Sequence, residues 1–455
     1  MRKMIRALPV LMICAVLISS CLSDDDTDYG NECYISSFTL GNVKRHITTT
    51  TSSGEDSTYS ISYSPDDYPM TIDQLAGEIY NKDSLPVNTY VTAVLAELEG
   101  SGVAYYSEDE EEWTAFDSDD SIDFSSPLTF RVISLDGTAA RDYTVWVNIH
   151  QTDGDVFGWD SICQTTLWSD AEELKVAAWN EKLYLFAGYE EGTHLFTASL
   201  SDGSDWEEQT LSGCDEAQVR TLTLFGDRFF MSLSDSTLIT SDDAISWTAI
   251  ETDKKVCLFA ADDNHLYAFS GGAVCRSNDG TTWIEESLDD EASLLPVRDI
   301  TAVAYDQGNG QSRVLMAGNR SLDDYPSDTA AVLWSRNSSE AQDADGWVYY
   351  IVQDDNSYAL PRLEALQILR YNDVLVALGL ASLNGNHTAL DALLMSEDNG
   401  LTWKGDDEEY EIAEELNGVE GPLAACVDND DFIWIVVGEA VWRGRLNRLG
   451  FEIQD

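Results

Sequence analysis

The sequence predicts an all-β protein in which an immunoglobulin-like β-sandwich precedes a β-propeller. Six blades are expected, and a seven-bladed propeller is the alternative. Three observations lead to this fold class. Short apolar runs alternate with turn residues along the whole chain, the second part of the chain repeats about every 50 residues, and 44% of the 455 residues are apolar. We therefore expect a sandwich at residues 33–150, a linker at 151–158 and a propeller at 159–455.

The net charge excludes one class of partner. The chain carries 25 Lys and Arg residues against 83 Asp and Glu residues, which gives a formal charge of −58. Nucleic-acid binding needs clustered cations that release counterions from phosphates, and a surface this acidic repels a polyanion. The same charge disfavours anionic membrane surfaces as targets. With 13 Trp and 20 Tyr residues, the chain still has enough apolar mass to fold.

The first twenty residues have the pattern of a secretory signal peptide. Basic residues at positions 2, 3 and 6 precede an apolar run from Leu8 to Ile18, which is too short for a stable membrane-spanning helix. The segment Ile18-Ser19-Ser20-Cys21 resembles the lipobox of bacterial lipoproteins, in which the cysteine becomes the lipidated first residue. This resemblance implies that a lipid at Cys21 attaches the protein to a membrane.

An acidic tether is expected at residues 21–32. Its segment Ser23-Asp24-Asp25-Asp26 resembles the surface-export signal of Bacteroidetes lipoproteins, which implies an outer-membrane lipoprotein exposed at the cell surface. A solvated charged tether is the alternative interpretation, and the two are compatible.

The last strands of the N-terminal domain give its clearest hairpin. Alternating residues at 130–135 and 143–149 flank an Asp136-Gly137 turn. Together with other short runs such as Ser57–Tyr63, this hairpin is typical of an immunoglobulin-like sandwich. It also resembles the closing strands of the Ig-like modules found in Bacteroidetes surface proteins.

The second part of the chain repeats a unit of two apolar strands joined by a polar turn and followed by a third strand. A further apolar strand, Trp159–Leu167, is expected either to complete the last blade or to belong to a seventh. The turns of the six predicted units lie at Asn180–Lys182, Gly226–Arg228, Asp262–His265, Asp306–Ser312, Tyr371–Asp373 and Asp428–Asp431.

Several third strands end in a polar turn followed by an aromatic residue. Ser396 to Trp403 matches the Asp-box of sialidase-like β-propellers, S-x-D-x-G-x-T-W, and two other copies are one residue shorter. We expect the Asp and Ser side chains to bond the turn backbone, the Gly to adopt a positive φ and the Trp to pack between blades. The fragments Asp202–Trp206 and Asp345–Trp347 and a decayed copy, Asn447–Phe451, complete the series. The residues assigned to this structural role are Ser241, Asp243, Trp247, Ser277, Asp279, Trp283, Ser396, Asp398, Gly400 and Trp403.

The whole arrangement resembles a family of Bacteroidetes surface lipoproteins that join an Ig-like domain to an Asp-box propeller. The segments that carry the resemblance are Ile79–Pro86, Asp120–Phe124 and Val147–Gln151. The resemblance covers nearly the whole chain after the leader. It implies the fold and the location, and no activity.

The few cations of this chain stand at equivalent positions of the repeat. Arg220, Arg298 and Arg362 each precede a first strand, and Lys254 and Lys255 occupy the corresponding stretch of another unit. First strands line the channel of a propeller, so we expect these cations to converge at its mouth. Guanidinium groups bind carboxylates and sulfates with two parallel hydrogen bonds. The pattern therefore predicts a recessed positive site for an acidic glycan.

Long loops lie on the same face as these cations, opposite the Asp-boxes. They include Asn319–Thr329 and Ala381–Asp391, and loops grown on one face of a repeat array commonly carry binding. Tyr325 and Tyr358 are the candidates for stacking on a sugar ring. The alternative is that each arginine pairs with a nearby carboxylate and that the loops are tolerated surface insertions.

No catalytic residue is assigned. Sialidases need an arginine triad, a Tyr–Glu nucleophile pair and an Asp, and the F/Y-R-I-P motif of the first arginine is missing from this sequence. Among 83 acidic residues, no carboxylate pair for another glycosidase can be singled out. The cysteines and the five histidines lack ligand spacing, so no metal site and no cofactor are expected.

These observations favour a surface-anchored, non-enzymatic binding lipoprotein whose partner is a glycan or a protein of an outer-membrane glycan-uptake system. Two alternatives stay open, a divergent glycoside hydrolase or lyase and a structural surface spacer. Arginines that meet at the channel mouth would favour binding, and two carboxylates about 5–10 Å apart in an open cleft would favour hydrolysis. A mouth filled by apolar side chains would favour the spacer.

Overall fold

The computed structural model describes residues 30–50, 56–308, 311–339, 346–351, 356–383, 385, 387–405 and 409–451. The chain divides into two compact units, one that ends at Asp153 and one that runs from Gly154 to Phe451. The predicted signal peptide, Cys21, most of the acidic tether and Asp345 lie outside the described residues.

Both units are built from β-strands. In the described ranges the helical segments are four short 3-10 turns, and no helix there is long and apolar enough to cross a membrane. These turns are Val219–Thr221, Ala292–Leu294, Glu414–Leu416 and Asn447–Gly450.

The first unit has three sheets, with strand orders β1-β7, β3-β2-β6 and β4-β5-β11-β10-β8-β9. The predicted closing hairpin is confirmed, because β10 and β11 pair antiparallel from Leu128 opposite Val145 to Ile133 opposite Ala140. Inward-facing residues of several strands form one core around the buried Phe130. The strands are β1 Tyr34–Leu40, β2 Val43–Thr50, β3 Asp56–Tyr63, β4 Met70–Asp73, β5 Glu78–Asn81, β6 Thr89–Tyr90, β7 Ala96–Ser101, β8 Val103–Ser107, β9 Thr114–Ala115, β10 Leu128–Ile133 and β11 Ala140–Trp146.

The second unit folds into small antiparallel sheets, here numbered I to VI in chain order of their first strands. Each of the six predicted strand pairs is present. Sheet I contains β13 Glu173–Trp179, β14 Lys182–Tyr189, β15 Gly192–Ser199 and β16 Glu207–Gln209; sheet II contains β17 Thr223–Phe225, β18 Arg228–Ser232, β19 Leu238–Ser241 and β20 Thr248–Ala249; sheet III contains β21 Cys257–Ala261, β22 Leu266–Ser270, β23 Ala273–Ser277 and β24 Ile284–Glu285.

Sheets IV to VI complete this unit. Sheet IV contains β25 Arg298–Gly308, β26 Gln311–Asn319, β27 Val332–Ser339 and β28 Val348–Tyr349; sheet V contains β29 Gln367–Tyr371, β30 Val374–Leu378 and β31 Leu394–Ser396; sheet VI contains β32 Leu423–Val427, β33 Ile433–Val437, β34 Ala440–Leu446 and, from the start of the unit, β12 Phe157–Gln164.

The strand β12 joins the two ends of the unit. It pairs antiparallel with β34, from Phe157 opposite Leu446 to Gln164 opposite Ala440, and forms the outer edge of sheet VI. Of the two expectations for this strand, the structure therefore shows the one in which it completes the last sheet. This pairing holds the start and the end of the unit together with main-chain hydrogen bonds.

Apolar clusters fill the space between consecutive sheets. Sheets I and II share a cluster with Phe186 and Phe229, and the equivalent cluster between sheets VI and I contains Trp434 and Leu174. The remaining consecutive pairs of sheets are joined in the same way. Radial packing of antiparallel sheets about an axis is the architecture of a β-propeller, whose first strands surround a central channel.

The three predicted Asp-boxes have the expected geometry. In the complete copy, the Ser396 hydroxyl donates to the Asp398 carboxylate at 2.9 Å, and that carboxylate accepts from the Thr402 amide at 2.9 Å. Trp403 is buried, and its indole N–H donates to the carbonyl of Gly400 at 3.0 Å. The copies that end at Trp247 and Trp283 repeat these bonds. These residues stabilise the turns of their own sheets.

Candidate functional site

A cavity of about 780 Å³ opens where the chain enters the first strands of sheets I to IV. Its wall combines charged groups with the aromatic rings of Phe259 and Phe269. Two of the three predicted arginines, Arg220 and Arg298, line this cavity. The sequence therefore identified two residues that the fold brings together, one from the turn before sheet II and one from the start of sheet IV.

The two arginines meet at the carboxylate of Asp299. The Arg298 Nε lies 3.0 Å from Asp299 Oδ2, and a terminal nitrogen of Arg220 lies 3.8 Å from Asp299 Oδ1. Arg220 also contacts Glu173 of sheet I, with its Nε 3.2 Å from the Glu173 carboxylate. Residues of sheets I and IV and of the 3-10 turn before sheet II thus form one network of ion pairs along the cavity wall.

Two buried donors fix the position of Asp299. The Asn319 side-chain amide donates to Oδ2 at 3.0 Å, and the Ala365 main-chain N–H donates to Oδ1 at 3.0 Å. The Asp299 side chain is only 8% exposed, and the residue adopts a φ of +50°. Asp is one of the few residues that adopt this left-handed conformation readily, so the backbone bend and the two donors together position the carboxylate.

The third predicted arginine has a different environment. Arg362 is 1% exposed, and its guanidinium donates to the main-chain carbonyls of Arg320, Tyr325 and Asp328 at 3.0 to 3.2 Å. Burial lowers the pKa of this guanidinium. Arg362 therefore fixes the loop between β26 and β27, and its side chain is not part of the cavity wall.

The tyrosines and lysines of the predicted site lie apart from the cavity wall. The Tyr325 ring supports the Arg320 guanidinium, which lies 3.7 Å from the ring centre, and Tyr358 is 52% exposed. The Lys255 amine lies 2.9 Å from the Asp235 carboxylate, whereas the Lys254 amine lies 3.8 Å from the sulfur of Cys275. These four residues do not converge with Arg220 and Arg298.

Two carboxylates, those of Glu173 and Asp299, line the cavity. Glu173 and Asp299 both contact Arg220, which brings two acidic groups from sheets I and IV toward one guanidinium. In the part of the chain that the structure describes, no three His, Cys, Asp or Glu side chains form a group that could hold a metal ion. The charged groups of the cavity wall are thus two guanidinium groups and two carboxylates.

Protein-family models match most of the first unit and the whole of the second. Residues 153–454 match the DUF6242 β-propeller domain, and residues 38–147 match the N-terminal domain of unknown function DUF6242. The chain belongs to the DUF6242 family. No curated protein matches this family member.

Solved structures with related folds are distant in sequence from this DUF6242 protein. An auxiliary nutrient binding protein from Bacteroides ovatus is 8% identical over 84% of this chain and 99% of its own, with a TM-score of 0.45. A DUF4623 family protein from Bacteroides eggerthii is 12% identical over 90% and 98%, with a TM-score of 0.34. The Trypanosoma rangeli sialidase in complex with the inhibitor DANA is 11% identical over 61% and 55%, with a TM-score of 0.36.

The DUF6242 propeller has a further charged residue that the sequence did not reveal. A second cavity of about 300 Å³ lies farther along the first strands and contains Lys175 of β13. Its wall otherwise consists largely of small and apolar residues, such as Ala177, Ala302 and Ala425. The available signal was a single lysine between the apolar residues of a first strand, Leu174 and Val176.

Proposed function

We propose that this protein is a surface-anchored, non-enzymatic binding lipoprotein whose ligand occupies the cavity at the mouth of the propeller channel. The observation that carries the proposal is the meeting of Arg220 and Arg298 at Asp299 within an open cavity. Its volume of about 780 Å³ is in the range of pockets that hold small ligands. A glycan is the ligand class that we propose, with a partner protein of the outer membrane as the alternative.

The wall of the cavity offers what a glycan needs. Two guanidinium groups supply donors in a fixed plane for carboxylate, sulfate or hydroxyl oxygens. Phe259 and Phe269 supply apolar faces in the same wall. Because Asp299 already fixes both arginines, they are oriented before a ligand arrives, which lowers the entropy cost of binding.

The proposed architecture has six propeller blades, one for each of the sheets I to VI, and an Ig-like sandwich as the N-terminal domain. The lipobox-like segment before Cys21 supports a lipid anchor, and the acidic segment after it supports export to the cell surface. In this arrangement the N-terminal domain is a spacer between the membrane and the binding domain.

A glycoside hydrolase or lyase is the second candidate function. Glu173 and Asp299 both contact the Arg220 guanidinium within an open cavity, and hydrolases use two carboxylates flanking the scissile bond. Asp299, however, already has two cationic and two neutral partners. A carboxylate held in this way is a poor proton donor or nucleophile, so we favour binding.

Binding is tested with a panel of neutral and acidic oligosaccharides, titrated calorimetrically into the purified protein and into Arg220→Ala and Arg298→Ala. We expect a glycan that binds the wild type and loses about tenfold or more in affinity in either variant, since each removes a charge-assisted hydrogen bond. Arg228→Ala is the matched control, because Arg228 pairs with the exposed Asp242 and lies over the Phe230 ring, and neither residue lines the cavity. Unchanged binding in both cavity variants would contradict the proposal.

Catalysis is tested on the same panel by chromatography of each glycan after long incubation. The binding proposal expects intact glycans with the wild type. If the wild type releases shorter products and Glu173→Gln does not, the protein is a glycoside hydrolase or lyase instead.

A further inference from the structure

Lys175 is a cation without a counterion inside the channel. It belongs to β13, is partly buried, and lines the deeper cavity of about 300 Å³. Among the described residues, no hydrogen-bond acceptor and no carboxylate pairs with its ammonium group. Lys182 of the paired strand β14 is exposed to solvent, whereas Lys175 lies inside a cavity.

The surroundings of Lys175 make its charge costly. Burial lowers the pKa of Lys175, and the nearby Arg220 lowers it further, whereas Cys426 acts in the opposite direction. Burial in turn raises the pKa of the Cys426 thiol to about 12, so this thiol is neutral near pH 7 and does not balance the ammonium. An unpaired charge in a confined, weakly polar space is unfavourable until an anion joins it.

The neighbouring strands supply little other charge to this cavity. Sheet IV contributes the uncharged run from Thr301 to Ala304, and sheet II contributes Leu222 and Leu224. The remaining charged group of the wall is Arg370 of β29, which pairs with Asp373. The deeper cavity is therefore positive, although the protein as a whole is strongly negative.

The deeper cavity continues the mouth cavity along the same strands. Glu173 lines the mouth and Lys175 lies two residues farther along β13, about 7 Å away at the rise of an extended strand. In the same way, Ile300 lines the mouth and Thr301 lines the deeper cavity. A ligand held between Arg220 and Arg298 can thus extend a terminal group toward Lys175.

We propose that Lys175 receives a monoanionic terminal group of the ligand, a carboxylate or a sulfate ester, so that the site selects a glycan with an acidic terminal sugar. This inference rests on the proposed function and names its ligand class. One negative charge balances the one unpaired ammonium, and Ala177, Ala302 and Ala425 leave room for the group beside it. Arg220 then contributes to both cavities, since it faces the mouth and lies near Lys175.

The proposal also predicts how binding depends on pH. The ammonium binds an anion only while it is protonated, and the bound anion stabilises the protonated form. Affinity is therefore highest below the pKa of Lys175 in the free protein and falls as the pH rises through that value.

The test uses three small probes, D-glucuronate, D-glucose 6-sulfate and neutral D-glucose, with the wild type, Lys175→Met and the control Lys182→Met. Lys182 is an exposed lysine of the neighbouring strand β14. Titration calorimetry and the thermal unfolding midpoint report binding of each probe. We expect the wild type and Lys182→Met to bind at least one acidic probe tenfold or more tightly than glucose. Lys175→Met loses this preference.

The two acidic probes separate a carboxylate from a sulfate ester as the preferred group. Equal binding of glucose and both acidic probes by the wild type, or an unchanged preference in Lys175→Met, overturns the inference. If the wild type binds no acidic probe but binds a neutral oligosaccharide, and Arg298→Ala loses that binding, the proposed function stands and this inference fails. If the acidic probes bind through Lys175 and no oligosaccharide binds, the anion site stands and the glycan proposal fails.

Discussion

Arg220 and Asp299, which precede or begin the first strands of sheets II and IV, meet across the mouth of the propeller channel with 3.8 Å between a guanidinium nitrogen and a carboxylate oxygen. The intervening sheet III contributes Phe259 and Phe269 to the wall between them. Because the contact bridges non-adjacent sheets, it fixes the width of the mouth. The site geometry therefore depends on Asp299 as much as on the arginines.

Replacing Asp299 should weaken the fold. Asp299→Ala removes the acceptor for Asn319 and Ala365 and leaves two arginines without their shared partner, so we expect a loss of about 3 kcal/mol in unfolding free energy. Asp299→Asn should lose less, because asparagine tolerates the positive φ and keeps an acceptor oxygen. Urea unfolding measures both. The control is Asp242→Ala, whose exposed carboxylate pairs with Arg228, and it should change stability by less than about 0.5 kcal/mol. Equal losses in Asp299→Ala and the control would show that Asp299 does not organise the mouth.

Replacing Lys175 should strengthen the fold. Lys175→Met removes a partly buried charge that lacks a counterion, and we expect a gain of roughly 1 kcal/mol in unfolding free energy near neutral pH. Burial lowers the pKa of Lys175 in the folded protein, so the folded state penalises the protonated lysine. The gain is therefore largest below that folded-state pKa. It shrinks as the pH rises from there toward the ordinary value of about 10.4, where the unfolded lysine also becomes neutral. Urea unfolding of both proteins between pH 6 and pH 10 measures the difference, and a gain that does not depend on pH would point to packing instead of charge.

The Asp-box carboxylates should contribute to stability only above acidic pH. The Thr281 hydroxyl and the Thr281 and Thr282 amides hold the pKa of Asp279 well below its usual range. A carboxylate with a lowered pKa stabilises the fold above its unfolded value of about 3.9, and this contribution is lost as the pH falls through the folded-state value. Asp279→Ala should thus cost about 1 kcal/mol at pH 7 and progressively less toward pH 2. Asp263→Ala, at an exposed turn residue, is the control, and a deficit that stays constant across this range would contradict the assignment.

Much of the propeller follows from local sequence. Asp428–Asp431 and the other turns separate apolar strands at a regular spacing, and the complete Asp-box at Ser396 to Trp403 specifies its own hairpin through bonds within a few residues. Such features are predictable because the interacting groups are close in the chain. The strand that pairs with β12 could not be predicted, because the pairing depends on how the two ends of the unit meet. The pattern of Trp159–Leu167 alone fitted either the last blade or a seventh blade.

Only part of the site was predictable, because most of its interacting groups are far apart in the chain. Arg220 and Arg298 were found because the repeat places them at equivalent positions. Asp299 could not be distinguished among 83 acidic residues, since its role depends on donors from two distant segments. Arg362 occupies the same repeat position as the other arginines, but its partners are main-chain carbonyls, which leave no sequence pattern. The position of Lys175 in a cavity could not be predicted, because the sequence does not show which cavity the strand β13 lines.

A ligand site at the channel mouth is tested by hydrogen–deuterium exchange of the wild type with and without its best-binding glycan, read by mass spectrometry. We expect slower exchange in peptides that cover Gln218–Leu222 and Val297–Thr301, the two segments that carry Arg220 and Arg298, with no change at the Asp-box turns. Protection confined to the Asp-box turns or to the strands β1 to β11 would contradict a ligand site at the channel mouth.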